Sequence, residues 1–201
     1  MITERHGTVK TYTSKGYKVM DIPKDLFEKI KKERIENKLE TFKIEDCQKL
    51  HINCIQSNGK RLENRNNTFT MAFKNRITIS RAVTFKLRKI MQEWSNVKLE
   101  KNGILSGIRR YTRGAKFSLH VDKIPTHFFG AILQIDQKVD EDWPLLVVDH
   151  QGNRVKIILK SGQMIIYEAG TIPHGRQFPL KGEYFDNLFM HFGPEDLNIY
   201  I

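Results

Sequence analysis

Residues 111–122 read YTRGAKFSLHVD and end with His120 and Asp122, which stand one residue apart in a predicted β-strand. Side chains at positions i and i+2 of a strand point to the same face of the sheet. We therefore expect the imidazole and the carboxylate to converge on one point. Taken alone, a His-x-Asp pair in a strand is more typical of a local hydrogen bond than of a metal site. Only the surrounding sequence can distinguish the two.

A metal centre at this point would need a third ligand from elsewhere in the chain. Two imidazoles and one carboxylate on one face of an octahedron leave three positions open, an arrangement that suits non-haem Fe(II). His174 is the best candidate, because it follows an apolar strand and the chain between it and His120 is long enough to cross the fold and return. The weaker candidates lie in a terminal segment, in a helix-or-strand stretch, in a turn, or too near His120: His6, His51, His150 and His127.

The second half of the chain predicts a β-structure. From Gly103 onward, short apolar runs such as KFSLHV, FFGAILQI and QMIIYEA are separated by Gly, Pro, Asn and Asp. Short strands at this spacing indicate a sandwich or a barrel. We predict one domain over residues 1–201, with a supporting region of helices and strands at 1–102 and a β-core at 103–201.

Two helices are predicted in the supporting region. In the first, PKDLFEKIKKERIENK, Pro23 stands near the first turn and an apolar stripe follows. In the second, SRAVTFKLRKIMQEW, Ser80 is the predicted N-cap. Its apolar residues recur at helical spacing: Val83, Leu87, Ile90, Met91 and Trp94.

The composition is that of a soluble globular protein, with 39% hydrophobic and 28% charged residues in 201. No apolar run is long enough to span a bilayer and no signal peptide is visible, so we expect a cytoplasmic protein without a membrane partner. Cys47 and Cys54 flank His51 in CQKLHINC, but a fourth metal ligand is missing there and ordinary thiols are expected. Lys and Arg outnumber Asp and Glu by 34 to 23. The net charge of +11 favours a polyanionic or acidic partner, and a solvated lysine-rich surface is the alternative interpretation.

The stretch at 111–122 has the pattern Tyr-x-x-Gly-x-x-aromatic-x-x-His-x-Asp, and it is followed by HFFGAILQID and SGQMIIYEAGTIPHG. Over residues 107–194 the sequence resembles the prolyl 4-hydroxylase-like group of the Fe(II)/2-oxoglutarate dioxygenases. The resemblance implies an α+β fold with a double-stranded β-helix, or jelly-roll, core. It also implies that His120, Asp122 and His174 are the iron ligands and the catalytic centre.

The same resemblance implies 2-oxoglutarate as cosubstrate, O2 as oxidant and ascorbate as a candidate reductant. Members of the group place an Arg or Lys on the strand after the distal histidine, where this chain has Glu183 and Tyr184. A buried dicarboxylate without a cation is costly. Arg176, two residues after His174 on a continuing strand, is therefore the residue predicted to bind the far carboxylate of 2-oxoglutarate. Lys181 is the second candidate, and Arg109 and Arg110 are further candidates.

Three further residues are predicted to contact the cosubstrate. Tyr111 belongs to the family's Tyr-x-x-Gly motif. Tyr184 stands where members of the group usually have the Arg or Lys. Gln134 stands where they often have a tyrosine, in the strand after His-x-Asp. Trp143 is expected in the core rather than at the substrate.

The resemblance favours hydroxylation of a C–H bond in a peptidyl proline, with succinate and CO2 as co-products. The expected partner is a peptide or protein, proline-rich or acidic. Two alternatives stay open. One is an oxygenase of the same chemistry acting on nucleic-acid bases, which the net charge favours but the scattered basic residues do not. The other is a non-catalytic jelly-roll module in which His120 and Asp122 only hydrogen-bond.

Overall fold

The computed structural model describes residues 8–36, 41–43, 67–71 and 76–200. The predictions made for His6, Cys47, His51 and Cys54 lie outside these residues. Neither helix of the described chain combines the length and the apolar character that a membrane span requires.

The described chain forms helices α1 (Lys24–Glu36) and α2 (Arg76–Ser95) and a series of strands. The first five strands are β1 (Tyr17–Asp21), β2 (Thr41–Lys43), β3 (Thr68–Met71), β4 (Ile104–Thr112) and β5 (Phe117–His120). The remaining strands are β6 (Phe129–Val139), β7 (Leu145–Val148), β8 (Arg154–Ile157), β9 (Gln163–Tyr167), β10 (His174–Arg176) and β11 (Gly182–Phe192).

The strands form two antiparallel sheets. The large sheet has seven strands in the order β1-β9-β6-β11-β4-β3-β2, and the small sheet has four in the order β5-β10-β7-β8. Apolar side chains of both sheets, among them Ile132, Val147 and Ile165, form one buried cluster between them. The opposite face of the large sheet packs on the helices. The predicted α+β class with a sandwich-like β-core is confirmed.

The N-terminal region contributes more than support, because β1, β2 and β3 all join the large sheet. Strand β1 pairs with β9 from Tyr17↔Tyr167 to Asp21↔Gln163. The segment that precedes β1 is held by Glu168. Its fully buried side chain accepts hydrogen bonds from the backbone N–H groups of Tyr12 (2.9 Å) and Thr13 (2.8 Å). The division of the chain at residue 102 into two regions stays a prediction.

Helix α2 starts earlier than predicted. It begins at Arg76, so Ser80 lies inside the first turns instead of capping the N-terminus. The predicted apolar stripe is correct: Val83, Leu87 and Met91 are fully buried against the large sheet and α1. Helix α1 begins one residue after Pro23, whose carbonyl accepts the backbone N–H groups of Leu26 and Phe27 (both 2.9 Å).

Successive side chains of β11 point to opposite faces of the large sheet. Leu188 and Met190 pack in the cluster beneath the helices. Phe189 and His191, one residue on from each, point to the space between the sheets. The residues of β4 alternate in the same way, with Ile108 towards the helices and Arg109 towards the small sheet.

A buried ion cluster fastens α1 to the outer face of the large sheet. The Asp186 carboxylate is fully buried and accepts two hydrogen bonds from Arg110, from Nε (2.8 Å) and Nη2 (2.7 Å). Arg34 of α1 donates a third from Nε at 2.9 Å, and its Nη2 lies 2.7 Å from Asp136. The hydrogen bond with Asp186 raises the pKa of Arg110.

We expect Asp186→Ala to lower the free energy of unfolding by about 3–5 kcal/mol, because two guanidinium groups lose their buried counter-charge. Denaturant titration measures this change. Asp25→Ala is the matched control, since Asp25 is exposed and pairs with Lys86 at the surface. Equal stability of the two variants would contradict the importance of the cluster.

Candidate metal centre

Two neighbouring strands of the small sheet bring His120 and His174 together. In the register of β5 and β10, His174 stands opposite His120, and the two imidazole rings are 4.5 Å apart. Gly175 permits this approach, because a Cβ atom there would lie 2.6 Å from the Ser118 carbonyl oxygen. The predicted pairing of a proximal and a distal histidine therefore exists in the fold.

Asp122 joins the two histidines from just outside the strand. Strand β5 ends at His120, so the strand-face argument does not extend to Asp122. The backbone N–H of Asp122 instead donates to the Ala169 carbonyl at 2.8 Å, which holds the chain beside β9. Asp122 Oδ1 lies 3.6 Å from His120 Nε2, and Oδ2 lies 3.9 Å from His174 Nε2. One ligand atom from each of the three residues falls within 4.8 Å of the others.

Hydrogen bonds to the backbone orient both imidazoles. His120 Nδ1 donates to the Ser118 carbonyl at 2.9 Å, and His174 Nδ1 donates to the Ile172 carbonyl at 3.1 Å. In each ring Nε2 is then the nitrogen left for a metal. Burial alone would lower the pKa of His120, but the interaction with Asp122 outweighs burial and raises it. Burial lowers the pKa of His174 to about 4, which keeps its ring neutral.

Asp122 is held as a carboxylate. Burial by itself would raise its pKa, but the imidazoles of His120, His191 and His174 outweigh burial and hold the pKa far below its usual range. Its Oδ2 atom is buried and accepts no hydrogen bond, although His191 Nε2 lies 3.2 Å away. A buried, under-coordinated carboxylate oxygen beside two imidazole lone pairs fits a divalent cation.

The three residues line a cavity between the sheets, and Arg176 lies inside it. The Arg176 guanidinium is buried between the rings of Trp143 (4.4 Å) and Phe185 (4.6 Å). Its Nη1 donates to the Trp143 carbonyl, while Nη2 has no hydrogen-bond partner among the described residues. Burial lowers the pKa of Arg176 to about 10, so the group stays charged at neutral pH. Trp143 is buried, as predicted.

Tyr111 also lines the cavity, with its ring against Phe117 and Trp143 at centroid distances of 5.1 and 5.2 Å. Its neighbours on β4 divide between the two faces of the sheet. Arg109 points into the cavity, whereas Arg110 points outward to Asp186.

The structure does not bring two of the predicted cosubstrate contacts to the cavity. Tyr184 lies on the outer face of β11, where its hydroxyl donates to Asp136 at 3.1 Å and its ring packs on Arg110. Gln134 is buried beside Asn187, whose side-chain amide donates to it. Lys181, the second anchor considered, is exposed and pairs with Glu141. The alternation of β11 puts Phe185, not Tyr184, on the inner face.

Three further residues complete the surroundings of the triad. The Tyr167 hydroxyl lies 3.4 Å from His174 Nε2, and the ring fits because residue 130 is glycine: a Cβ there would lie 2.8 Å from it. Burial raises the pKa of Tyr167 well above its usual value. His127 and His191 stack at 4.6 Å. The alternation of β11 could have indicated from the sequence that His191 faces the cavity. His127 lies in a loop before β6, where no sequence pattern indicates its position.

The comparisons with known proteins agree with this geometry. No family model matches the sequence, and no curated protein does. Among solved structures, a prolyl-4-hydroxylase from Pseudomonas putida superimposes with a TM-score of 0.59 over 91% of this chain and 95% of that chain, at 15% identity. A 2OG-Fe(II) oxygenase family oxidoreductase from Burkholderia pseudomallei gives 0.62 over 89% and 85%, at 9% identity.

A prolyl hydroxylase from Trichoplax adhaerens, in complex with a peptide fragment of hypoxia inducible factor, gives a TM-score of 0.59 over 90% of this chain and 84% of that chain, at 8% identity. The chain therefore has the fold of the prolyl 4-hydroxylase-like 2-oxoglutarate oxygenases, a jelly-roll core with added helices. At these identities the likeness defines the fold, and the chemistry has to be argued from the site.

We expect Asp122→Asn to weaken Fe(II) or Mn(II) binding by more than about 100-fold, because the amide replaces the one anionic ligand. Anaerobic calorimetric titration with each metal measures the affinity. Asp140→Asn, at an exposed carboxylate paired with Arg113, is the matched control. Retained metal affinity in Asp122→Asn would place the metal elsewhere.

Proposed function

We propose that the protein is an Fe(II)/2-oxoglutarate-dependent dioxygenase that hydroxylates a C–H bond. The observation that carries the proposal is the convergence of His120, Asp122 and His174 on one side of a cavity that also contains a buried guanidinium. A hydrogen-bonded His-Asp pair would explain the first two residues. It would not explain the third, or the unpaired Nη2 of Arg176 in the same cavity.

In this proposal the two Nε2 atoms and the Asp122 carboxylate hold the metal. Iron bound there would supply the activation of O2 and the oxidation of 2-oxoglutarate to succinate and CO2. The backbone carbonyls of Ser118 and Ile172 fix the orientation of the two imidazole rings in the absence of metal. Metal binding would therefore cost little side-chain entropy at these two residues.

Arg176 is the proposed anchor for the far carboxylate of 2-oxoglutarate. Its charge is buried and its Nη2 is unpaired, and a guanidinium donates well to a carboxylate in such an environment. The stacked rings of Trp143 and Phe185 and the bond to the Trp143 carbonyl keep the guanidinium in place. Tyr111 contributes a hydroxyl to the same part of the cavity.

Tyr167 is placed to donate a hydrogen bond beside the metal. Its hydroxyl contacts His174 Nε2, and a metal bound to that nitrogen would occupy the lone pair. The buried hydroxyl then needs another acceptor, because an unsatisfied buried donor is unfavourable. An oxygen atom of a bound cosubstrate would supply one.

The favoured substrate is a peptidyl proline, hydroxylated to 4-hydroxyproline. The support is the resemblance at residues 107–194 together with the structural likeness to prolyl hydroxylases, one of them a peptide complex. This part of the proposal rests on fold analogy.

The direct test is succinate formation by protein reconstituted with Fe(II) under anaerobic conditions and then given O2, 2-oxoglutarate and a proline-containing peptide library. We expect turnover in the wild type and none in His174→Ala. Mass spectrometry of the peptides would detect a gain of one oxygen atom if proline is the target. A folded wild type that binds no metal and forms no succinate would indicate a non-catalytic module.

We expect Arg176→Gln to weaken 2-oxoglutarate binding by at least about 30-fold, because a buried carboxylate would lose its counter-charge. Calorimetric titration of Mn(II)-loaded protein without O2 measures the affinity without turnover. Lys181→Gln is the control and should leave the affinity unchanged. A loss in Lys181→Gln but not in Arg176→Gln would move the anchor to the exposed lysine.

A further inference from the structure

The cavity contains a second guanidinium that the proposed cosubstrate does not need. Arg109 points inward from β4, and its guanidinium carbon lies 5.0 Å from the centroid of the Phe189 ring. Its Nε is buried and has no hydrogen-bond partner in the part of the chain that the structure describes. Neighbouring arginines pair with carboxylates, Arg110 with Asp186 and Arg113 with Asp140, but no ion pair within the described residues includes Arg109.

The other charges of the proposed site cancel. A divalent metal, the Asp122 carboxylate, the Arg176 guanidinium and the two carboxylates of 2-oxoglutarate together carry no net charge, and the two histidine ligands are neutral. The positive charge of Arg109 is then left over in a partly buried space. An isolated buried charge is unfavourable, so the cavity is complementary to one more negative charge.

Arg109 lies on the metal side of the cavity. Along the inner face of β11, the Arg176 guanidinium packs on Phe185 and the Arg109 guanidinium packs on Phe189. His191, whose Nε2 lies 3.2 Å from Asp122 Oδ2, follows Phe189 on the same face of the strand. The two guanidiniums therefore lie at different points along the cavity, and Arg109 is the one on the side of Asp122.

We propose that Arg109 binds a carboxylate of the substrate close to the C–H bond that is hydroxylated. This inference rests on the proposed function and restricts its substrate class to molecules with an acidic group beside the reacting carbon. A carboxylate matches the single unbalanced charge, whereas a phosphate monoester would bring two. Stacking on Phe189 restricts the guanidinium and favours directed hydrogen bonding to the planar group.

Two sources could supply this carboxylate, and the test separates them. The protein is loaded with Mn(II) and 2-oxoglutarate without O2, and binding is measured by calorimetry. One arm uses end-blocked peptides with Pro-Asp or Pro-Glu against the same peptides with Pro-Asn or Pro-Gln. The other arm uses free amino acids, proline included, against their carboxamides.

In one of the two arms we expect the wild type to bind the carboxylate at least about 10-fold more tightly than the matched amide. Arg109→Gln should abolish that preference and leave the affinity for 2-oxoglutarate within about twofold. Arg109→Lys should retain part of the preference, because it keeps the charge. Arg113→Gln is the matched control at an exposed arginine and should behave as the wild type.

Equal binding of acid and amide by the wild type in both arms, or binding of neither, would overturn the proposal. So would a loss of 2-oxoglutarate affinity in Arg109→Gln with normal affinity in Arg176→Gln, since Arg109 would then be the cosubstrate anchor. A failure of the proposed function is distinguishable: metal-loaded wild type would not bind 2-oxoglutarate at all.

Discussion

The pairing of β5 with β10 is the constraint on which the site depends. The two strands approach so closely at Gly175 that any side chain there would meet the backbone of Ser118. This approach sets His120 opposite His174 and leaves Asp122 to turn in against β9. The convergence of the three side chains is therefore a product of backbone packing.

The large sheet provides the second wall of the site through its alternation. One face of β4 and β11 packs on the helices and carries the Arg34, Arg110 and Asp186 cluster, where charges compensate each other. The other face presents Arg109 to the cavity without a carboxylate partner among the described residues. One face of the sheet therefore carries a guanidinium paired with a buried carboxylate, and the other carries a guanidinium that faces the cavity.

The sequence predicted the parts of the fold and site that depend on local pattern. Short strands punctuated by Gly and Pro indicated the β-core, and helical spacing identified Val83, Leu87 and Met91 as buried. The prediction that placed Tyr184 at the cosubstrate assumed the family's position for a basic residue. In the structure the alternation of β11 turns Tyr184 outward and Phe185 inward. Which face of β11 meets the small sheet depends on its packing with distant segments, which no single segment encodes.

The sequence by itself determined which side chains could form a metal site, because His120 and Asp122 lie two residues apart and His174 follows a distinct apolar strand. It also indicated Arg176, whose position follows from its distance to His174 along one strand. Only the tertiary structure decided which of Arg109 and Arg110 enters the cavity, and that Tyr167, His127 and His191 surround the triad. These depend on which face of a strand meets the small sheet, and that choice is made by packing between segments far apart in the chain.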